Sequence, residues 1–396
     1  MSIPRVQLKP RRAAAFYARH PWVFAGAIAA IDGVPADGDE VDVVSHAGNF
    51  IARGLFNSQS KIRVRLYSWR PDQPLDADFF RQRLESAIRL RRDVLDYDRP
   101  GGACRLVFSE ADGLSGMVVD RYDRWLAVQF TGLALALRRE QICAALLELT
   151  GADGIMLRTE KGVGKLEGLK LEDGVYCGDW PQELLAVSDG DLRFLVNVAE
   201  GQKTGFYLDQ RENRRAAARY ARGRRVLDAF CYTGGFALHA TRGGAVAVEG
   251  VDSSGPALEL ARRNAELNDV GSVEFVQADV FDHLAARVEA SATYGMIVLD
   301  PPKFARARHA IPEALRGYRR LQSLALKLLE AEGILVVSCC SGLITMDMLE
   351  ELLAQTAAAA RRDVQMLERR GPAPDHPVAA ACRETDYLKC LIARVG

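Results

Sequence analysis

Several absences narrow the problem first. No GxGxxG fingerprint follows any strand-like run, so a dinucleotide carrying a pyrophosphate is not the expected ligand. The eight cysteines (Cys104, Cys143, Cys177, Cys231, Cys339, Cys340, Cys382 and Cys390) show no repeated CxxC or Cys/His spacing, which argues against a structural zinc and against a disulfide framework. The longest weakly charged stretch near the start, WVFAGAIAAI from Trp22, is well short of the roughly 18 residues that a bilayer crossing needs. The basic opening MSIPRVQLKPRR lacks an apolar signal core. A cytoplasmic protein with no membrane partner and no metal is expected. Internal repeats and low-complexity tracts are also missing.

What is present describes an ordinary globular protein of 396 residues, 48% apolar and 26% charged, long enough for two or three domains. Net charge is zero, with 52 Lys/Arg against 52 Asp/Glu, but its distribution is uneven. Residues 1–70 hold ten Lys/Arg against five Asp/Glu, and KFARARHAIPEALRGYRR from Lys303 holds six against one. Each segment alone is as well read as a solvated face; basic segments of this kind also suit a polyanion such as nucleic acid.

Three regions follow from the patterning. In residues 1–72, Val41 and Val43, then Ile62, Val64 and Leu66, repeat with period two between glycines, as half-buried strands of a small β-barrel or sandwich do. RPDQPLDADF from Arg70 reads as a linker. Residues 73–188 open with a basic helix, FRQRLESAIRLRRDVL, and continue as a mixed α+β module. Residues 189–396 alternate strand and helix: RVLDAF, AVAVEGVD, VEFVQAD, GMIVLD and GILVVS predict a mostly parallel sheet covered on both faces, with YLKCLIARV as an antiparallel edge strand.

In such a sheet, ligands gather at the carboxyl ends of the strands. Those ends read Asp228 with AFCYTGG, Asp252, Asp279, Asp300 with PPK, and CCSG. The adjacent Gly234 and Gly235 suit a turn at a helix N-terminus, or simply a packing turn. Asp252, 24 residues after Asp228, is placed to accept two ribose hydroxyls, and Asp279, with the backbone of Val280, to meet an adenine amino group. Taken singly each is an ordinary strand cap; together they describe a site for an adenosine carrying an amino acid, S-adenosylmethionine. In LDPPKF, two prolines fix a rigid turn suited to holding a flat base by its edge.

DAFCYTGGF, VDSS, ADVF, LDPPKF and SCCSGL, with GQKTGFYLDQR from Gly201 and PDHPV from Pro374, resemble in content and order the bacterial 23S ribosomal RNA cytosine-C5 methyltransferases that carry an N-terminal PUA domain. The resemblance covers nearly the whole chain. It implies a PUA-like RNA-binding barrel, a central α+β domain and a Rossmann-like class I methyltransferase domain, with S-adenosylmethionine as cofactor and large-subunit ribosomal RNA as partner; a homodimer stays open. The cofactor set it implies is Asp228, Phe230, Tyr232, Gly234, Gly235, Asp252, Ser253, Asp279, Val280 and Asp300. Toward the base it implies Pro301, Pro302, Lys303, Tyr207 and Gln210, with Asp209 beside them.

Cytosine C5 needs activation by a thiolate at C6. By resemblance Cys340 is that nucleophile and Cys339 fills the position before it, while Asp300 binds the N3/N4 edge and supplies a proton to N3. Many RNA cytosine-C5 methyltransferases carry a second cysteine after the proline of the fourth-strand motif; here Pro302 and Lys303 stand there, leaving Asp300, Lys303 or a water as the base for the C5 proton. His376 beside two prolines reads more readily as a structural hydrogen-bonder than as a base contact. The rival readings are methylation of an exocyclic amine, a nicotinamide-dependent oxidoreductase and a non-catalytic RNA-binding protein.

Overall fold

The computed structural model describes residues 3–159, 162–181, 184–305 and 307–396, in two compact units. Arg306 of the basic run lies outside the described residues.

The first unit comprises Met1–Val187, Val196–Leu208 and Pro374–Thr385. Its first sheet has six strands, in the order Trp22–Phe24, Ile62–Ser68, Phe50–Phe56, Glu40–Val44, Arg5–Leu8 and Ile28–Asp32. Val41, Val43, Val64 and Leu66 are buried, as the period-two pattern predicts, and Ile62 is half-buried at the strand's start. The stretch read as a linker is instead strapped down. Arg53, paired with Asp42 at 2.8 Å, donates to the carbonyls of Pro71 and Gln73, and Leu75 is buried among Phe79, Phe80 and Leu84. Hydrogen bonding of the backbone by a buried guanidinium outweighs the turn-forming composition that suggested a loose connection.

The basic helix forms over Ala77–Arg89, capped by the Asp76 side chain accepting from the Phe79 N–H, a contact that satisfies one of the orphan donors of the first turn. It packs with helix Arg139–Thr150 on a five-stranded sheet, Gly174–Cys177, Gly154–Arg158, Trp125–Phe130, Met117–Tyr122 and Ala103–Phe108 in spatial order.

The second unit comprises Ser188–Leu195, Asp209–Ala373 and Asp386–Gly396. Its sheet is built from β1 (Arg225–Ala229), β2 (Ala247–Asp252), β3 (Val273–Gln277), β4 (Tyr294–Leu299), β5 (Leu329–Cys339), β6 (Val364–Arg370) and β7 (Lys389–Val395). The spatial order is β3-β2-β1-β4-β5-β7-β6, with β1 to β5 mutually parallel. The tail strand β7 is antiparallel, as expected, but lies one place in from the edge, where β6 pairs with it. Alternation along each strand feeds two cores. Leu227, Ala229, Ile297, Leu299, Leu335 and Val337 face helices α4 (Val280–Glu289), α5 (Ile311–Leu328) and α6 (Met346–Ala359), while Val226, Val248, Met296, Val298, Ile334 and Val336 face α1 (Arg211–Ala218) and α2 (Gly235–Arg242). Helix α3 (Gly255–Leu267) lies between β2 and β3 in sequence.

Asp189 anchors α1 from the chain before it. Its buried carboxylate receives Arg214 at 2.7 Å and Arg215 at 2.9 Å, with Arg211 at 3.5 Å and the His239 ring at 3.7 Å. Burial alone would raise its pKa, but the charges of Arg214, His239 and Arg211 outweigh burial and hold it well below the ordinary carboxylate value. A carboxyl so depressed contributes stability above the unfolded-chain value of about 4 and loses it as pH falls below that. Asp189→Asn leaves buried guanidinium groups without their counter-charge. It is expected to lower stability at neutral pH by about 3–5 kcal/mol, with the gap to wild type closing in acid. Urea unfolding of both proteins across that pH range checks this, and a gap independent of pH would refute it.

Candidate active site

The strand order reverses direction between β1 and β4, which places the carboxyl ends of these two strands side by side, and in open parallel sheets ligands bind at such a switch point. From β1 the chain enters a tight turn in which Phe230 (φ 66°), Tyr232 (φ 48°) and Gly234 (φ 84°) are all left-handed. Side chains other than glycine pay for that conformation, and it persists only where neighbours enforce it. Here the N–H groups of Phe230 and Cys231 donate to the Val251 carbonyl at 2.9 and 3.0 Å, and that of Gly234 to the Cys231 carbonyl at 2.8 Å. A Cβ at Gly234 would stand 3.2 Å from the Phe275 ring, so space as well as φ requires glycine. Gly235 opens α2, against Arg214.

Asp228, just before the turn, is sealed at 1% exposure. One carboxylate oxygen accepts from the Ala237 N–H at 2.8 Å; Oδ1 has no hydrogen-bond partner among the described residues. Burial, with the charges of Asp300 and Asp252 adding to it against the Ala237 N–H and Arg214, pushes this carboxyl up to about 8. Burial thus favours its protonated form.

At the end of β2, the half-buried Asp252 closes the turn. Its Oδ2 accepts from the Tyr232 N–H and its Oδ1 from the Ser254 N–H, both at 2.9 Å. A carboxylate has about four acceptor positions, so each oxygen keeps one for a ligand hydroxyl. Ser253 is exposed and its carbonyl receives Gln277. Asp279, exposed beyond β3, is the N-cap of α4, accepting from the Asp282 N–H at 3.1 Å, while the Val280 side chain enters the core.

Asp300 follows β4 and is half-buried. Gln210 donates its amide to Asp300 Oδ1 at 2.9 Å and is itself oriented by Asn213, which donates to its oxygen at 2.7 Å. That orienting contact fixes which end of the Gln210 amide faces the carboxylate. Next along the chain, Pro301 is buried, Pro302 and Lys303 are exposed, and Phe304 packs on Tyr318 with ring centroids 5.0 Å apart.

The two cysteines at the end of β5 separate cleanly. Cys339, the last strand residue, is fully buried in the core beneath α5 and α6. Cys340, one step past the strand, is partly exposed, with its sulfur 3.9 Å from the Pro301 carbonyl. The period-two geometry of the strand sends the first thiol inward and leaves the second beside the DPPK turn. Asp228, Asp252, Asp300, Pro301, Gln210 and Cys340 thus belong to one unit and one end of its sheet.

Two candidates lie in the first unit instead. Tyr207 donates to Gln202 at 2.5 Å and carries Lys203 over its ring at 4.4 Å. His376 is buried, hydrogen-bonded to Asp375 at 2.8 Å and tilted on Phe108; Asp375 in turn accepts from the Arg105 N–H and, through its carbonyl, from Arg91. That is a structural role for His376. Asn213 and the buried Lys389 carried no sequence signal, the first because it sits in an arginine-rich helix start and the second because lysine in a tail strand reads as solvent-facing.

These features fit a nucleoside-type methyl donor: a left-handed glycine turn tight against Phe275, a carboxylate with spare acceptor positions, and a buried carboxyl with an unsatisfied oxygen. The chain belongs to the S-adenosylmethionine-dependent methyltransferase family, whose model matches residues 174–391, more than half of the sequence; a PUA-like domain model matches residues 6–69. It is 39% identical over 398 residues to the ribosomal RNA large subunit methyltransferase I of Erwinia tasmaniensis, covering 99% of each chain. To the protein of the same name from Aeromonas hydrophila it is 41% identical over 379 residues, covering 95% of each. Among solved structures, SMU.776, described as a methyltransferase and complexed with SAH, shares the fold, with a TM-score of 0.86 and 21% identity over 99% of this chain and 100% of that one. The protein is therefore an S-adenosylmethionine-dependent methyltransferase, which sets aside the nicotinamide reading. Among the described residues, no helix is long and apolar enough to cross a membrane.

The Asp228 carboxyl holds its proton more tightly in the folded state than in the unfolded chain, so it costs stability progressively as pH rises from about 4 toward 8. Asp228→Asn removes that cost. Its urea midpoint is expected to exceed that of wild type at the upper end of this range and to match it at the lower end; an equal difference at both ends would show that Asp228 titrates normally.

Proposed function

We propose that this protein methylates C5 of a cytosine in 23S, large-subunit ribosomal RNA in the cytoplasm, with Cys340 as the nucleophile. The observation that carries the reading is the partly exposed residue Cys340, its sulfur 3.9 Å from the Pro301 carbonyl, one residue beyond the fully buried Cys339. A methyltransferase acting on an exocyclic amine needs no thiol there, because a nitrogen lone pair attacks directly. The names of the relatives support ribosomal RNA as substrate.

Asp228, Phe230, Tyr232, Gly234, Gly235, Asp252, Ser253, Asp279, Val280 and Asp300 would hold the cofactor. S-adenosylmethionine, when bound, supplies an electrophilic methyl group to C5. The Cys340 thiolate adds to C6 of the cytosine, forming a carbon–sulfur bond and making C5 enamine-like. Asp300, fixed by Gln210, holds the N3/N4 edge and gives N3 a proton, so that no full negative charge builds on the ring. Pro301, Pro302 and Lys303 frame the base, with Lys303 exposed to meet a phosphate. Once C5 carries the methyl group, loss of its proton re-forms the double bond and expels the thiolate, and N3 gives up the proton it received, to the Asp300 carboxylate or to solvent, which restores the enzyme. Asp300, Lys303 or a water takes that proton.

Residues 1–72 serve as an RNA-binding barrel and 73–188 as a module joined to it, ahead of the catalytic domain over 189–396. Phosphate contacts from the basic N-terminal region offset the few kcal/mol needed to extrude a base from structured RNA.

Cys340→Ala is expected to lower methyl transfer to large-subunit RNA by at least about a thousandfold, whereas Cys339→Ala keeps most of it. RNA carrying 5-fluorocytidine at the target should give a covalent adduct with wild type, since fluorine cannot leave as the proton does. Retained activity in the Cys340 variant, or no adduct, favours the amine-methylating reading. Mapping 5-methylcytosine in ribosomal RNA with and without the gene identifies the base.

A further inference from the structure

Lys389 opens β7 opposite Cys339, and its side chain is buried at 4% exposure. Its ammonium donates to two backbone carbonyls, Asp386 at 2.9 Å and Ser341 at 3.3 Å. Of its three N–H donors the third has no acceptor among the described residues, and the ammonium forms no ion pair among them. An ammonium taken out of water without a carboxylate partner costs several kcal/mol, and methionine or leucine would fill the same strand position without that cost. Something anionic, present for at least part of the working cycle, has to repay it.

Asp386 contributes a favourable charge but is exposed and forms no ion pair with Lys389 among the described residues, and the buried side of the ammonium faces the two thiols. Ser341, whose carbonyl Lys389 holds, immediately follows Cys340, and the turn is clamped from its other side by the Ser341 hydroxyl donating to the Ala305 carbonyl at 3.0 Å. Burial lowers the pKa of Lys389, while Asp386, Cys339 and Cys340 raise it, so charge on either thiol and charge on the ammonium favour each other. Tyr318 also interacts with the two thiols and with Asp300: burial raises its hydroxyl first, and the charges of Cys339, Cys340 and Asp300 add to it. Neither group brings a positive charge, so Lys389 is the cation in this set.

Building on Cys340 as the nucleophile, we propose that Lys389 is a positioning residue that holds the turn after β5 and stabilises the Cys340 thiolate, both before it adds to C6 and when it is expelled. Only the ammonium's charge and its two hydrogen bonds are used; its proton stays in place throughout.

Lys389→Gln tests the charge, because an amide can still donate to carbonyls but carries none, and Lys389→Arg tests rescue by a second cation. Each variant is first titrated with S-adenosylhomocysteine to verify an intact fold. Cys340 alkylation by iodoacetamide is then followed against pH in a Cys339→Ala background, with mass spectrometry of the Cys340 peptide separating it from the other six cysteines. The Gln variant is expected to alkylate about tenfold more slowly at neutral pH, with its profile moved up by about one pH unit, and to lose kcat in proportion; the Arg variant should lie near wild type. A Gln profile that coincides with wild type overturns the proposal. Should the Gln variant fail to bind S-adenosylhomocysteine, the Arg variant decides: a profile near wild type supports the charge role, and one shifted upward overturns it. Because alkylation needs no RNA, a Cys340→Ala protein that still methylates would sink the nucleophile assignment without touching the alkylation result, so the two failures are told apart.

Discussion

Parallel pairing of β2, β1, β4 and β5 sends all four carboxyl ends to the same edge of one sheet, and every group of the site depends on that constraint. Two of the carboxyls at those ends, Asp228 near the end of β1 and Asp300 just past β4, sit on strands that are direct neighbours. Two carboxyls so placed cannot both ionise cheaply in a dry setting, and the molecule resolves this by burying one and leaving the other half-open. Burial favours the protonated form of the sealed one. The other stays half-open and is oriented by the amide of Gln210. A single topological fact thus divides two identical side chains between different electrostatic tasks.

The same economy governs the adjacent thiols. Nothing in the identity of Cys339 and Cys340 distinguishes them, but strand alternation does: the last residue in register with Lys389 enters the core, and the next has left the ladder. Local stability is given up here for function, as it is in the left-handed turn at Phe230 and Tyr232 and in the buried ammonium of Lys389 that holds the turn after β5. The surrounding core is large enough to sustain these costs, since both sheet faces of this unit are covered by helices.

Much of the parallel sheet was legible, because buried parallel strands are short apolar runs and each here ends in a polar residue. Edge strand β6 was not: VQMLERR alternates half-buried and exposed residues and resembles a surface segment until β7 supplies its partner. The turn residues were readable because glycine pairs and a double proline restrict the backbone in few ways. Tyr207 and Gln210, three residues apart in one motif, fall in different units, a division that spacing along the chain does not encode. Lys389 escaped notice because burying an ammonium is a decision of tertiary packing, not of pattern.

In the first unit, Arg65 on the six-stranded sheet reaches Glu110 at 3.5 Å and Glu167 at 3.1 Å, and Tyr67 donates to the Ser115 carbonyl at 2.6 Å; all but the carbonyl belong to side chains shielded from water. The barrel-like segment is consequently not a detachable accessory. Cutting the polypeptide ahead of residue 73 would strand two acidic groups in a pocket that water scarcely reaches, so the remaining piece should aggregate rather than behave as a shorter enzyme.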